Sequence, residues 1–216
     1  MAVKRISKTN VSNGTSVTVT LQPNSILVFL GEHHSASDQP INSVSWNGEA
    51  FTELSETTFS DNALSFYNSR AIYYLLNPTP DTGNMVLGSD VHGPVIQFSN
   101  VDQDDPWISH NERPRAIATS QTSDMTVEEG GWAVGIGMAN DADASLSTLS
   151  SDNSGMILEV AYDSSGNYHA KMGSVPVSNS TVYFRYAKSL DYIAVSGGVL
   201  RYKPISQMYP QVSWFH

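Results

Sequence analysis

Glu32-His33-His34 places a carboxylate and two imidazoles side by side at the end of an apolar run. On an extended strand, neighbouring side chains point to opposite faces, so the two histidines cannot readily share one metal ion. A site there needs a further ligand from elsewhere, with Asp90 and His92 as the donors at hand. The plain alternative is a polar strand end meeting a loop. Two acidic clusters, Asp102-Asp104-Asp105 and Asp141-Asp143, carry the oxygen ligands that calcium takes. Neither follows the EF-hand loop, and Asp is equally a turn residue that bonds to its own backbone. The expectation is that the chain holds no metal and no cofactor, with Asp102, Asp104 and Asp105 standing as the calcium candidates.

Glycoside hydrolysis needs two carboxylates roughly 5–9 Å apart across a cleft. Glu49, Glu53, Glu56 and Glu159 are the acids placed on strand-like segments, and their spacing equally fits an exposed face. A Gly-x-Ser-x-Gly elbow is absent, and six scattered histidines make no triad. Gly130-Gly131, Gly135-x-Gly137 and Gly197-Gly198 are followed by no lysine and no helix, so they are not phosphate loops; glycine in strands marks bulges or close packing. No enzyme is expected.

Aromatic rings offer another chemistry, because an exposed ring with a polar edge suits a sugar face. Trp107, flanked by Pro106 and Ile108 in a polar segment, is the candidate ring, with Tyr67 and His110 beside it as candidate ligand contacts. The alternative is that Trp107 folds back as a plug over the end of the fold. Trp132 opens an apolar strand and reads as core, and Trp46 abuts a hairpin turn. Beyond Pro204, Met208, Tyr209, Trp214 and Phe215 form an irregular aromatic tail: a final covering strand, or an arm docking on a neighbour.

What must position these residues is a set of strands. Short runs rich in Val, Ile, Tyr and Phe are cut every ten or so residues by Gly, Asn, Asp, Pro and Ser, and no stretch keeps a helical period. The spacing predicts strands near 3–6, 16–21, 25–32, 71–76, 85–89, 95–101, 116–121, 125–128, 132–139, 157–162, 168–172, 181–188 and 193–202. Asn47-Gly48 predicts a tight hairpin over 44–51. Residues 55–69, 102–114 and 140–154 read as loops, and Asn13-Gly14 as a turn. No internal repeat and no linker stand out. The reading is an all-β chain of 216 residues folded as one antiparallel, two-sheet, jelly-roll-like β-sandwich, with residues 204–216 as an arm.

Composition bounds the partners. With 21 acidic and 11 basic residues the net charge is −10, and Lys4-Arg5 is the longest basic run, which argues against nucleic acid. Absence of cysteine excludes thiolate chemistry and suits folding in a reducing cytoplasm. The first ten residues carry charges but no apolar segment, so no signal peptide is expected. The apolar run Ile26–Leu30 is far short of the ~20 residues of a membrane helix, so no membrane insertion is expected.

Four pieces occur in order: Val44-Ser-Trp-Asn-Gly-Glu-Ala-Phe-Thr52, Arg70-Ala-Ile-Tyr-Tyr-Leu-Leu-Asn-Pro78, Asp81-Thr-Gly83, and Ile96-Gln-Phe-Ser-Asn-Val-Asp-Gln103 with Pro106 after it. This pattern resembles a β-sandwich module of phage virion proteins and some bacterial surface proteins, over roughly residues 15–140. The resemblance implies a display, decoration or adhesion role in a virion, with contacts to other virion proteins, self-association and no catalytic motif. A carbohydrate-binding module or adhesin, using the aromatics near Trp107 on a host glycan, is the competing expectation.

Overall fold

The computed structural model describes residues 2–35, 41, 43–61, 66–139, 148–164 and 168–203. Its strands are β1 (Lys4–Thr20), β2 (Ser25–Ser35), β3 (Val44–Trp46), β4 (Glu49–Ala50), β5 (Thr52–Asp61), β6 (Phe66–Leu76), β7 (Thr82–Ser99), β8 (Trp107–Thr126), β9 (Trp132–Ala139), β10 (Thr148–Ser151), β11 (Ile157–Ser164), β12 (Tyr168–Pro176) and β13 (Thr181–Leu200). The all-β class read from the spacing is the class observed. Asparagines do much of the punctuation: Asn24, Asn47, Asn77 and Asn100 all adopt positive φ at strand ends, where their short polar side chain is tolerated. Asn47 (φ 47°) and Gly48 (φ 85°) make the expected tight turn between β3 and β4.

The strands form two antiparallel sheets. One runs β4-β3-β7-β2-β6-β5 with β1 on β7, and the other β10-β13-β9-β12-β11 with β8 on β13. The two orders are the same order. Replacing β1, β2, β3, β5, β6 and β7 by β8, β9, β10, β11, β12 and β13 turns the first sheet into the second, β4 being an extra hairpin strand. The chain is therefore two structural repeats, Lys4–Ser99 and Trp107–Leu200, joined by the short linker 100–106. This corrects the expectation of no internal repeat.

In each repeat two long strands break register midway, between Val11 and Ser16 in β1 and between Ala187 and Asp191 in β13. Such irregularities bend a ladder, and each sheet folds over itself there. In the first repeat Val17, Val19, Val44, Trp46, Met85 and Leu87 cover Leu27, Phe29, Tyr73 and Leu75. In the second, Met125, Leu149, Val182, Phe184 and Tyr186 cover Ala133, Val175, Ile193 and Val195. Between them lies a third core to which both repeats contribute: Ile26, Val28, Leu30, Ile72, Ile96 and Phe98 against Val134, Ile136, Met138, Met172 and Leu200. Among the described residues, the two folded sheets thus enclose three cores.

The repeats are joined at their ends by a reciprocal contact. Val101 and Tyr202, each two residues past its repeat's last strand, form an antiparallel bridge. Asp102 N–H donates to Arg201 O at 3.0 Å, and Lys203 N–H donates to Asn100 O at 3.0 Å. Equivalent positions pairing with one another is what a local two-fold axis through this bridge produces.

Several expected loops are strand. Residues 55–69 belong largely to β5 and β6, and 107–114 open β8, which pairs with β13 along its length. Asn13-Gly14 lies inside β1, where the ladder shifts register without turning back. Of the third expected loop, 140–147 falls outside the described residues and Thr148–Ser151 is β10.

Candidate functional site

The candidate ligand residues Trp107, Tyr67 and His110 do not come together. Trp107 opens β8 and turns inward: its ring meets Tyr74 edge-on at 5.6 Å and packs on the shared core beside Leu54. A Cβ on Gly198 would sit 2.8 Å from this ring, so the glycine leaves room for it. Trp107 Nε1 is buried with no acceptor among the described residues. The packing is that of the plug alternative, and the side chain stays partly exposed. Tyr67 lies on β6 seven residues from Tyr74, about 23 Å along the strand at ~3.3 Å per residue. His110 is exposed, opposite Gly198 on the β8–β13 ladder.

The calcium candidates face cations of the chain itself. Lys203 Nζ lies 3.0 Å from Asp104 Oδ2 and 3.6 Å from Asp102 Oδ1, and Arg201 pairs with Asp105. Asp102 Oδ1 also accepts the N–H of Asp104 at 3.0 Å. These bonds and Lys203 hold its carboxyl below the usual carboxylate range, against the opposing effect of partial burial. The trio thus ties the linker to the end of β13. At the other end, Glu32 and His33 point to opposite faces, both buried. Glu32 stands in register with Arg70 on one side and His92 on the other. The side chains of His34 and Asp90, like Asp141, Asp143, Met208, Tyr209, Trp214 and Phe215, lie outside the described residues. Among the described residues, no group of three or more His, Asp or Glu is arranged to hold a metal ion.

The acids considered for hydrolysis go to separate partners. Glu159 on β11 is buried and takes both Nε and Nη2 of Arg5 at 2.8 Å, plus Ser174 Oγ at 2.6 Å. Glu49 accepts Thr79 Oγ1 at 3.1 Å. Glu56 accepts Ile41 N–H on Oε1, and its Oε2 lies 2.7 Å from Tyr73 Oη. Burial pushes the Glu56 carboxyl up, outweighing those contacts, with Glu53 adding like charge.

Two charged residues with structural weight escaped the reading of the sequence. Arg70 is fully buried between the sheets, donating Nε to Ser196 Oγ and Nη2 to Arg113 O, both at 2.8 Å. Desolvation pulls its pKa down to about 10, opposed by Glu112, so it remains charged at neutral pH. The other is Arg5, the partner of Glu159. A cation heading the apolar run 71–76 was the available signal for Arg70; Arg5 gave none.

Among the described residues, a half-open cleft lies at the turns of the second repeat. It encloses about 480 Å³ between the β8–β9 turn (Val127, Glu129, Gly130), the β12–β13 turn (Val177–Ser180) and Ala2. Asn153, buried beneath, shapes one wall: its Oδ1 accepts Ser178 N–H at 2.7 Å, Ser178 Oγ at 3.1 Å and Asn179 N–H at 3.1 Å. Val177 N–H donates to Gly131 O at 3.1 Å and locks the two turns together. No protein-family model, curated protein or solved structure matches the chain.

Proposed function

We propose that this protein is a non-enzymatic structural or display protein of a phage virion, attached to capsid or tail and contacting other virion proteins and copies of itself through loops and termini. The observation that carries this reading is where the charge goes. Arg5–Glu159, Arg70–Glu112, Arg201–Asp105 and Lys203–Asp104 all tie one repeat, or the linker, to the other. These pairs bind the two repeats into one double module, and exposed apolar groups lie on its surface. Ile117 and Leu158, 59% and 50% exposed, are apolar anchors of the kind protein interfaces use. The Trp-Asn-Gly piece is the β3–β4 hairpin and Asn77-Pro78 directly follows β6; these are two of the four pieces on which the virion-module resemblance rests.

A tagged copy in purified particles, probed with tag antibody in negative-stain microscopy, tests this: label at fixed positions on capsid or tail is expected, and particles without label overturn it. The competing role, a glycan-binding adhesin, would need a platform other than Trp107, whose ring packs on Tyr74. Strong, selective glycan-array hits that persist in a folded Trp107→Ala variant would favour it instead.

A further inference from the structure

We propose that the cleft beside Ala2 is the docking groove for this chain's own residues 204–216, entered directly from Lys203. The local two-fold at Val101 and Tyr202 makes the linker and this segment counterparts: each leaves the bridge at an equivalent position. In the first repeat the departing linker runs past the β6–β7 turn. Two residues beyond Val101, Gln103 is pinned there, its Oε1 accepting Asn77 N–H at 3.0 Å and its Nε2 donating to Val101 O at 3.1 Å. The counterpart of that turn is the β12–β13 turn, and there the second repeat has the open cleft. Its third wall follows the same relation, since Ala2 stands two residues before β1 as Asp105 stands two residues before β8.

Chemistry and length agree with this occupant. The cleft offers apolar Val127 and Val177, the polar residues Ser178, Asn179 and Ser180, and one charged side chain, Glu129. Residues 204–216 contain no Asp or Glu in a chain of net charge −10, and they carry Ile205, Met208, Tyr209, Trp214 and Phe215. An apolar, acid-free segment is what a wall bearing Glu129 accepts without like-charge repulsion. The linker makes the equivalent passage within 102–106, so the longer segment has ample reach. The inference rests on the repeat geometry and holds whether or not the virion reading does.

The chain has no cysteine, so an introduced pair can be read cleanly. Ser178→Cys with Ile205→Cys, oxidised under mild conditions, should give a disulfide within one chain, seen as a monomer on non-reducing gels and by peptide mass. A disulfide between chains, which would place the segment on a neighbour, or persistent free thiols, overturns the proposal. Should the double variant fail to fold, deletion of residues 204–216 decides: amide hydrogen exchange at 127–130 and 177–180 should then accelerate by about tenfold or more. Unchanged exchange there overturns it equally.

Discussion

At the scale of single residues, Glu56 shows how proton supply can set stability. Tyr73 Oη lies 2.8 Å from Ile41 O and 2.7 Å from Glu56 Oε2, while Ile41 N–H points at Glu56 Oε1. Three contacts need three hydrogens, and with Glu56 ionised only the phenol and the amide supply one. A protonated Glu56 donates to Tyr73, which frees the phenol hydrogen for Ile41 O and closes the ring. Burial independently raises this carboxyl. A raised folded pKa gives stability that is fully present below the unfolded value of 4.5 and lost as pH rises through the folded value. Glu56→Gln, which can donate without titrating, should therefore be more stable than wild type at pH 7 by about 1 kcal/mol, the net worth of one hydrogen bond. The difference should vanish near pH 4; equal urea midpoints at pH 7 would refute the proton count. Trp107 makes the matching point about packing. Trp107→Ala should cost about 3 kcal/mol by opening the shared core next to Tyr74 and Leu54, read as a lower midpoint in urea unfolding.

Among elements, the turns and buried strands were legible and the polar strands were not. Asn47-Gly48, Asn77-Pro78 and the apolar runs at 26–30, 71–76 and 132–139 announce themselves because one residue type at one position has one conformational use. β5 and the start of β8 read as loops because their exposed positions are Glu, Thr, Asn and Arg, and nothing in such a segment tells a solvated strand from a solvated loop until its partner is known. The same holds for the ligand candidates: Trp107, Tyr67 and His110 were grouped by type, and strand geometry separates them. Glycines in a strand such as β9 mark bulges or close packing; here it is close packing, with the rings of Phe184 and Tyr186 directly over Gly135 and Gly137. A Cβ on Gly135 would stand 2.4 Å from two carbons of the fully buried Phe184 ring. Gly135→Ala should therefore destabilise by about 1–3 kcal/mol through overpacking, although alanine otherwise suits a strand better than glycine. A urea midpoint equal to wild type would show that the ring can move aside.

For the whole molecule, the repeat was invisible in the sequence because equivalence lies in strand order, and strand order is fixed by distant partners and not by neighbours in the chain. Ile26, Val28 and Leu30 play the part of Val134, Ile136 and Met138, alike only in being apolar on the face turned to the other repeat. That sharing has an energetic consequence. Neither repeat can bury its inner face alone, so the two should unfold together in one calorimetric transition. Arg5–Glu159 is the tie that tests it, because it crosses from the first repeat to the second and the Glu159 side chain is wholly shielded from solvent. Arg5→Ala leaves that carboxylate without its cation and should cost about 3–5 kcal/mol, whereas Arg5→Ala with Glu159→Gln should recover part of the loss by removing the stranded charge. In both variants the transition should move to lower temperature and stay single. Two resolved transitions would mean that each repeat is stable by itself, and that the third core joins two finished modules where a single cooperative fold is expected.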